Sequence, residues 1–252
     1  MTTSNSGSDN GHGRLAVVLG GANGIGAATA LLLHGRGWKV VIADIDLAAA
    51  EATAQRCEGA AIHVDVLDAQ SIANAAQRIE ERHGAIYALV NAAAIFAPRM
   101  LPEQLPIETW DRIVDSSYRN AYVACVEFGK RMAAHGAGVI VNISSMVGQR
   151  PNHGHAYYSA KAAVNALTEG MAGEWGRSGV RVNAVSPGPT KSARFLSTRV
   201  TDPEKMETND SLERYADPEE IADAVAFFAG PQSKFVSGQV LRVDGGLTLF
   251  AG

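Results

Sequence analysis

The chain carries, close to its N-terminus, the stretch Leu15-Ala-Val-Val-Leu-Gly20-Gly-Ala-Asn-Gly24-Ile-Gly26. Its first part is apolar and rich in β-branched residues, as expected of a strand that is buried on both faces. The three numbered glycines permit a tight turn and the close approach of another backbone, and an Ala- and Leu-rich helical segment follows. A helix N-terminus offers free N–H groups and the positive end of a dipole to a pyrophosphate. The stretch therefore predicts a dinucleotide-binding turn inside a βαβ unit.

A second apolar strand, Trp38-Lys-Val-Val-Ile-Ala-Asp44, follows this helical segment. Asp44 stands at its C-terminal end, where a carboxylate can accept hydrogen bonds from both ribose hydroxyls of an adenosine. The same carboxylate would repel a 2′-phosphate, and neither Arg nor Lys stands next to it or in the glycine turn. These features favour NAD over NADP as the cofactor. The alternative is that Asp44 is only a strand-end acid or a helix cap.

A third motif, Tyr157-Tyr158-Ser159-Ala160-Lys161, lies in a segment with the composition of a helix. Residues four apart share one face of a helix, so the phenol of Tyr157 and the ammonium of Lys161 can point at one site. A tyrosine titrates near 10 in water, roughly three units too high for a base at neutral pH. Because a nearby positive charge favours the phenolate, the pair is typical of a proton-transfer device.

Together these motifs resemble the short-chain dehydrogenase/reductase family in its compact single-domain form. The resemblance runs from about Arg14 to Thr248. Besides the three motifs above, it is carried by Asp65-Val66, Leu89-Val-Asn91-Ala-Ala-Ala94, Asn142-Ile-Ser-Ser145, Arg181-Val-Asn-Ala-Val-Ser-Pro-Gly-Pro-Thr190 and Val243-Asp-Gly-Gly246. It implies a single doubly wound, Rossmann-like α/β domain, a seven-stranded parallel sheet with helices on both faces, nicotinamide chemistry and usually a homotetramer.

The resemblance also implies a role for each site residue. Ser145, Tyr157 and Lys161 are the expected catalytic residues. Asp65 and Val66 are expected at the adenine, Asn91 and its neighbours along the cofactor, and the segment after residue 186 at the nicotinamide amide. The complete expected cofactor-binding set is Gly20, Asn23, Gly24, Ile25, Gly26, Asp44, Ile45, Asp65, Val66, Asn91, Ala92, Tyr157, Lys161, Pro187, Gly188 and Thr190.

The chain departs from the family pattern beside the glycine turn. Leu19 replaces the usual Thr, which would hydrogen-bond the loop after the fourth strand. The run Asn91-Ala-Ala-Ala94 replaces Asn-Asn-Ala-Gly. Because these two elements touch in the family, one hypothesis is a single compensated change, in which an apolar contact between Leu19 and Ala92 replaces a polar brace.

The catalytic end also departs from the pattern. The family's catalytic Asn, which supports a water that links the Lys to solvent, corresponds by its distance from Trp110 to Ser117. Ser117, Asn120 or neither residue takes that role. The interval from Ser145 to Tyr157 is one residue shorter than usual, so Ser144 and Tyr158 remain alternatives, although Tyr158 would leave Lys161 only three positions away.

Composition limits the other possibilities. The chain has 252 residues, 46% of them hydrophobic and 19% charged, with a net charge of −4, so a nucleic-acid or anionic-membrane partner is not expected. Its apolar runs have strand length, and residues 1–13 read as a disordered polar leader without the apolar core of a signal peptide. Two isolated cysteines and seven histidines without ligand spacing predict no metal site, and they favour a cytoplasmic protein.

The alternation of elements supports the same architecture. Strands are predicted near residues 14–20, 39–43, 60–64, 86–91, 138–144, 180–185 and 238–243, and helices near 24–35, 47–56, 69–83, 107–135, 155–176 and 217–229. One catalytic domain is expected over 14–252, with a substrate lid near 191–214.

The predicted activity is NAD-dependent interconversion of a small-molecule secondary alcohol and a ketone. One alternative is a catalytically weak NAD-binding scaffold. A lyase such as a halohydrin dehalogenase is a third reading, but such an enzyme is expected to lack the dinucleotide glycines and to carry Arg in place of Lys161.

Overall fold

A computed structural model describes residues 11–95, 100–151, 154–193, 196 and 212–250. Seven strands in this part of the chain form one parallel sheet in the order β3-β2-β1-β4-β5-β6-β7. The strands are β1 (Leu15–Leu19), β2 (Lys39–Asp44), β3 (Ala60–His63), β4 (Ile86–Asn91), β5 (Gly138–Ile143), β6 (Val180–Pro187) and β7 (Val240–Val243). The predicted seven-stranded, doubly wound sheet in a single domain is confirmed.

The helices cover both faces of this sheet. They are α1 (Gly24–Gly35), α2 (Leu47–Arg56), α3 (Ala69–His83), α4 (Ile107–Val114), α5 (Asn120–Ala134), α6 (His155–Trp175), α7 (Pro218–Ala229) and the short α8 (Leu247–Phe250). Side chains of α1, α2 and α7 form one core cluster with the sheet, while those of α3, α5 and α6 form the other. Successive side chains of a strand point to opposite faces, so β1 sends Val18 into the first cluster and Val17 and Leu19 into the second.

The helix predicted over 107–135 is interrupted. A π-helical turn, Asp115–Arg119, separates α4 from α5, and the N–H of Asn120 donates to the carbonyl of Asp115, five residues back. Such turns are rare and occur frequently at functional sites. The composition of the segment did not indicate the interruption, because each of its residues is compatible with an α-helix.

The strand order reverses between β1 and β4, which are adjacent in the sheet. After β1 the chain builds outward to β3, and after β3 it crosses back to start the other half at β4. In open α/β sheets a crevice forms at this point, outside the carboxyl ends of the strands, and ligands bind there. The fold therefore places the candidate site where β1, β4 and β5 end.

Two predicted segments fall largely outside the described residues. Residues 1–10 of the predicted leader lie there, but Gly11 and Gly13 donate backbone hydrogen bonds of 2.8 and 2.9 Å to the carbonyls of Arg36 and Gly37. The packed domain thus includes residues that were predicted to belong to the leader. Of the predicted lid, residues 194, 195 and 197–211 are not described. In the part of the chain that is described, no helix combines the length and apolarity needed to cross a bilayer.

Candidate active site

A cleft of about 900 Å³ lies at the carboxyl ends of the central strands. This volume is within the usual range for sites that bind a cofactor or small molecule. The structure brings both predicted groups, catalytic and cofactor-binding, to this one cleft. The predicted residues in its lining are Gly20, Asn23, Gly24, Ile25, Gly26, Asp44, Ile45, Asp65, Val66, Ala92, Ser145, Tyr157, Lys161, Pro187, Gly188 and Thr190.

The glycine turn is shaped by two close approaches. Gly20 has a φ of 74°, and a Cβ placed on it would lie 2.6 Å from the backbone nitrogen of Ala93. A Cβ on Gly26 would collide with the carbonyl oxygen of Gly20. A side chain at either position would therefore push the turn away from α1 or from the end of β4.

The N-terminus of α1 opens into this cleft. Asn23 precedes the helix, but its side chain makes no capping hydrogen bond, and the first turn contains no acidic residue. Gly24, Ile25 and Gly26, the first residues of the helix, line the cleft. A helix end without a side-chain cap or a negative charge is suited to an anionic group such as a pyrophosphate.

The carboxylate of Asp44 is oriented by backbone donors. Its Oδ2 accepts from the N–H of Ala22 at 3.0 Å, and its Oδ1 accepts from the N–H of Asp46 at 3.1 Å. Asp65, after the next strand, is held in a similar way, because its Oδ1 accepts from the N–H of Leu67 at 2.9 Å. Both acids therefore stand at one end of the cleft in fixed orientations.

Asn91 is the predicted cofactor residue that does not line the cleft. It ends β4 and is 4% exposed, and its Oδ1 accepts from Nδ2 of Asn120 at 3.2 Å. The side chain thus lies behind the cleft wall, under α5. Its neighbours Ala92 to Ile95 do line the cleft, and whether a side chain reaches the cleft depends on the helix packed over it.

The hypothesis of an apolar contact between Leu19 and Ala92 is wrong. Leu19 belongs to the core cluster that contains α3 and α5, whereas Ala92 packs against the cluster that contains α1 and α7. The hydrogen bond between the two residues is a backbone one, from the N–H of Ala92 to the carbonyl of Leu19 at 2.8 Å.

Tyr157 and Lys161 lie one turn apart on α6, as predicted. The Nζ atom of Lys161 is 5.6 Å from the centroid of the Tyr157 ring. Lys161 is only 3% exposed, its Nζ donates to the carbonyl of Ile143 at 2.7 Å, and burial lowers its pKa to about 8. At neutral pH most of this lysine still carries its charge, so the cleft holds a desolvated cation next to a phenol.

The structure distinguishes the two candidate serines by their partners. The hydroxyl of Ser144 is buried, and its Oγ lies 2.6 Å from Oδ1 of Asn165 and 3.2 Å from the carbonyl oxygen of Lys161, so its single proton is shared between these two acceptors on α6. Ser145 precedes a short 3₁₀ turn, Met146–Gly148, and its Oγ accepts only a long bond of 3.5 Å, from the N–H of Val147. Ser144 therefore attaches β5 to α6, while the geometry favours Ser145 as the hydroxyl available to a ligand.

Gly148 brings this 3₁₀ turn against α6. A Cβ at Gly148 would lie 2.7 Å from the carbonyl carbon of Lys161. The turn, the serine pair and the lysine are thus packed as one unit, and this packing requires a glycine three residues after Ser145.

The segment after β6 closes the far end of the cleft. The N–H of Gly188 donates to the carbonyl of Val243 at 2.9 Å, and a Cβ there would lie 2.8 Å from Cα of Asp244. The hydroxyl of Thr190 donates to the carbonyl of Gly188 at 3.0 Å. These contacts fix the backbone of residues 187–190, which was predicted to meet the nicotinamide amide.

Several residues of the cleft lining were not identified from the sequence. Arg112, exposed on α4, lies in the lining, as do Ile95, Ser192 and Ala193. No motif marks Arg112, and its place in the lining follows from the packing of α4 against the π turn and α6. Ser117 and Asn120, the two candidates for the missing Asn, are both buried beside the cleft rather than in its lining.

These features fit a dinucleotide. The cleft has a glycine turn at an uncapped helix N-terminus for a pyrophosphate, an oriented carboxylate for a ribose, and a buried lysine. Among the residues that the structure describes, no group of three or more His, Cys, Asp or Glu side chains could hold a metal ion.

Comparison with known proteins agrees with this geometry. Residues 20–248 match the family model described as enoyl-(acyl carrier protein) reductase. The chain is 38% identical over 244 residues to cis-4-hydroxycyclohexanecarboxylate dehydrogenase of Sinomonas cyclohexanicum, covering 93% of this chain and 96% of that relative. It is 35% identical over 249 residues to galactitol 2-dehydrogenase (L-tagatose-forming) of Cereibacter sphaeroides, covering 94% and 96%.

A solved structure shows the same fold. A short-chain type dehydrogenase/reductase from Mycobacterium ulcerans superposes with a TM-score of 0.88 at 27% identity, covering 95% of this chain and 91% of the other. The similarity thus spans nearly the whole chain in both sequence and structure. The chain belongs to the short-chain dehydrogenase/reductase family, whose members are oxidoreductases that use nicotinamide cofactors.

Proposed function

We propose that this protein is an NAD(H)-dependent oxidoreductase that interconverts a secondary alcohol and the corresponding ketone. The observation that carries the proposal is the pairing, in one cleft, of the buried Lys161 ammonium with the ring of Tyr157 at 5.6 Å. The relatives named above are dehydrogenases of a cyclic hydroxy acid and of a sugar alcohol, which supports a hydroxyl-bearing small molecule as the substrate.

The side chains would divide the chemistry as follows. Tyr157 takes the proton of the substrate hydroxyl during oxidation and returns it during reduction. Lys161 favours the phenolate form of Tyr157, and its ammonium is positioned to hold a ribose. Ser145 forms a hydrogen bond with the substrate oxygen and orients it. NAD, when bound, supplies the hydride acceptor.

The preference for NAD over NADP rests on Asp44. Two backbone N–H groups fix its carboxylate at the end of the cleft. A carboxylate in that place accepts hydrogen bonds from two ribose hydroxyls and repels a 2′-phosphate. The adjoining Ile45 is 62% exposed and carries no charge that could offset the repulsion.

The proposal includes a homotetramer in the cytoplasm, with the lid over residues 191–214 closing on the substrate. Exposed apolar side chains near the β7 edge support burial between subunits: Phe227, Phe235, Leu241 and Leu249. Phe235 is fully exposed, which is unusual for a phenylalanine that has no partner surface.

The test is an absorbance screen at the NADH band. Cyclic hydroxy acids, polyols and their ketones are offered with NAD(H) and, separately, with NADP(H). We expect turnover of at least one substrate with NAD(H) in the wild type and none in a Tyr157→Phe control. Tight NADH binding without turnover of any substrate would favour the catalytically weak scaffold, and failure to bind either dinucleotide would reject the proposal.

The scaffold remains the second candidate because of one observation. Ser117 replaces the catalytic Asn, and its buried Oγ has no hydrogen-bond partner among the residues described. A side chain without a partner at this point could weaken the water link between Lys161 and solvent. A halohydrin-dehalogenase-like lyase is disfavoured, because Gly24, Gly26 and Lys161 are all present in the cleft.

A further inference from the structure

Residues 91–95, here called the wall, lie beside the cleft and carry apolar side chains at four of their five positions. After Asn91 the sequence reads Ala-Ala-Ala-Ile, and residues 92–95 line the cleft. Their side chains cannot brace the wall by hydrogen bonding, so its backbone groups need donors and acceptors from other elements. The family pattern would supply such a brace from the position of Leu19, which here is apolar and points to the α3 and α5 side of the sheet.

The π turn before α5 supplies these partners. Nδ2 of Asn120 lies 3.3 Å from the carbonyl oxygen of Ala93 and 3.2 Å from Oδ1 of Asn91. One turn earlier, Oγ of Ser116 accepts from the N–H of Ile95 at 3.1 Å. Two polar side chains from one helix segment therefore hold both ends of the wall.

The orientation of the Asn120 amide follows from its neighbours. Nδ2 also lies 3.3 Å from the carbonyl oxygen of Ser116. Two of its three partners are backbone carbonyls, which only accept, so the NH₂ group must face them. The NH₂ group has two protons, so its three acceptors share them. The π turn leaves the carbonyl of Ser116 to this group, since the backbone N–H of Asn120 donates to Asp115 rather than to Ser116.

Stability alone does not explain an asparagine here. Asn120 is fully buried, and its Oδ1 has no hydrogen-bond partner among the described residues. A buried acceptor without a partner lowers the stability of the folded state. What the protein gains is the NH₂ group directed at the wall, and a buried water at Oδ1 would reduce the cost.

The wall in turn touches the glycine turn. A Cβ on Gly20 would lie 2.6 Å from the nitrogen of Ala93, so the two backbones are in direct contact. A displacement of Ala93 would therefore change its contact with the glycine turn at the start of the dinucleotide cleft.

We propose that Asn120 is a positioning residue for the cleft: its amide holds residues 91–95 against the glycine turn and so keeps the dinucleotide site in shape. This inference rests on the proposed dinucleotide function for its ligand. The claim that Asn120 holds residues 91–95 in place does not depend on the proposed function.

The experiment compares Asn120→Ala and Asn120→Asp with Cys125→Ala. The Asp variant keeps the shape of the side chain but loses the donor. Cys125 is fully buried on the same helix and is absent from the cleft lining, and its hydrogen-bond partner is Asn142 on β5, so its variant controls for general loss of packing. NADH affinity, kcat at saturating cofactor, thermal stability and hydrogen exchange of the amides of residues 92–95 are measured in each.

We expect both Asn120 variants to exchange these amides at least about tenfold faster and to bind NADH about tenfold more weakly, corresponding to one lost hydrogen bond of about 1.4 kcal/mol. The kcat at saturating cofactor should remain within about threefold, because no reacting atom is touched. Cys125→Ala should change neither exchange at the wall nor NADH affinity, even at a similar loss of thermal stability.

Wild-type exchange rates at residues 92–95 in Asn120→Ala, or an equal change in Cys125→Ala, would overturn the inference. An Asn120→Asp variant that behaves like the wild type would also do so, since the donor would then be dispensable. If the wild type binds no NADH, the proposed function fails, and the exchange data alone still decide whether Asn120 holds the wall.

Discussion

The two ends of the cleft are built in different ways. The end that contains Asp44 comes from one continuous segment, β1–α1–β2, in which neighbouring backbone N–H groups fix the carboxylate. The end that contains Tyr157 is assembled from β5, α6 and residues after β6, and its lysine is almost completely buried. The first end depends on local geometry, whereas the second depends on long-range packing and desolvation. Substitutions should therefore act differently at the two ends.

The largest effect is expected for Tyr157→Phe at the packed end. Removing the hydroxyl removes the proposed acid/base, and general acid–base groups contribute about 10²–10⁴-fold, so kcat should fall below the detection limit of the absorbance screen. NADH affinity should change less than about threefold, because the ring and Lys161 remain. Steady-state kinetics with fluorescence titration of NADH measure both. Retained turnover would show that this end has a different proton donor.

The burial of Lys161 predicts a pH-dependent stability. Its pKa falls from 10.5 to about 8 on folding, so between these values the unfolded chain binds more protons and the wild type gains stability as pH rises. Below pH 8 the buried charge costs up to roughly 3 kcal/mol. The free energy of unfolding of Lys161→Met, relative to that of the wild type, should therefore be highest below pH 8. This difference should decrease towards pH 10.5.

Urea unfolding of the cofactor-free protein at pH 7.5 and pH 10 measures this change. The variant also loses the bond from Nζ to the carbonyl of Ile143 at both pH values. Lys39→Met, at an exposed lysine, is the matched control and should follow the wild type at both pH values. If the unfolding free energies of the Lys161 and Lys39 variants changed equally between pH 7.5 and pH 10, burial of Lys161 would not affect the stability of this end of the cleft.

Substitutions of the two serines test whether Ser145 contributes to catalysis and Ser144 to stability. Ser145→Ala should lower kcat by about 10–100-fold, as expected for loss of one hydrogen bond to the reacting oxygen. Ser144→Ala should instead cost about 1 kcal/mol of unfolding free energy, since its hydroxyl joins β5 to α6, and kcat should stay within about threefold. The reverse pattern would assign the substrate contact to Ser144.

The smallest effect is expected at the local end. Asp44→Ala should raise the affinity for NADP relative to NAD by about tenfold, because it removes a charge that repels a 2′-phosphate and accepts from the ribose. Asp46→Ala is the control: this acid caps α2 through the N–H of Ala49 and should leave the ratio unchanged. An unaltered ratio in Asp44→Ala would remove Asp44 from the ribose site.

Much of the fold could be predicted because its signals are local. Apolar runs indicated the strands, although β3 (AAIH) contains only one β-branched residue, and the glycine turn indicated the start of α1. The π turn at 115–119 could not be predicted, since residues compatible with an α-helix also occupy it. The position of Asn91 behind the wall was likewise invisible, because it depends on α5 packing across β4.

The candidate site shows the same division. The sequence alone determined which residue types are present and their order: the glycines, Asp44, the serine pair, and a phenol four positions before an ammonium. Those features follow from backbone conformations and side-chain periodicities that act over a few residues. Only the tertiary structure decided that Leu19 and Ala92 pack into different core clusters, that the hydroxyl of Ser144 is bound to α6 although both serines line the cleft, and that the amide of Asn120 lies against the carbonyl of Ala93. These outcomes depend on which distant elements pack together, and burial and hydrogen-bond partners are properties of that packing.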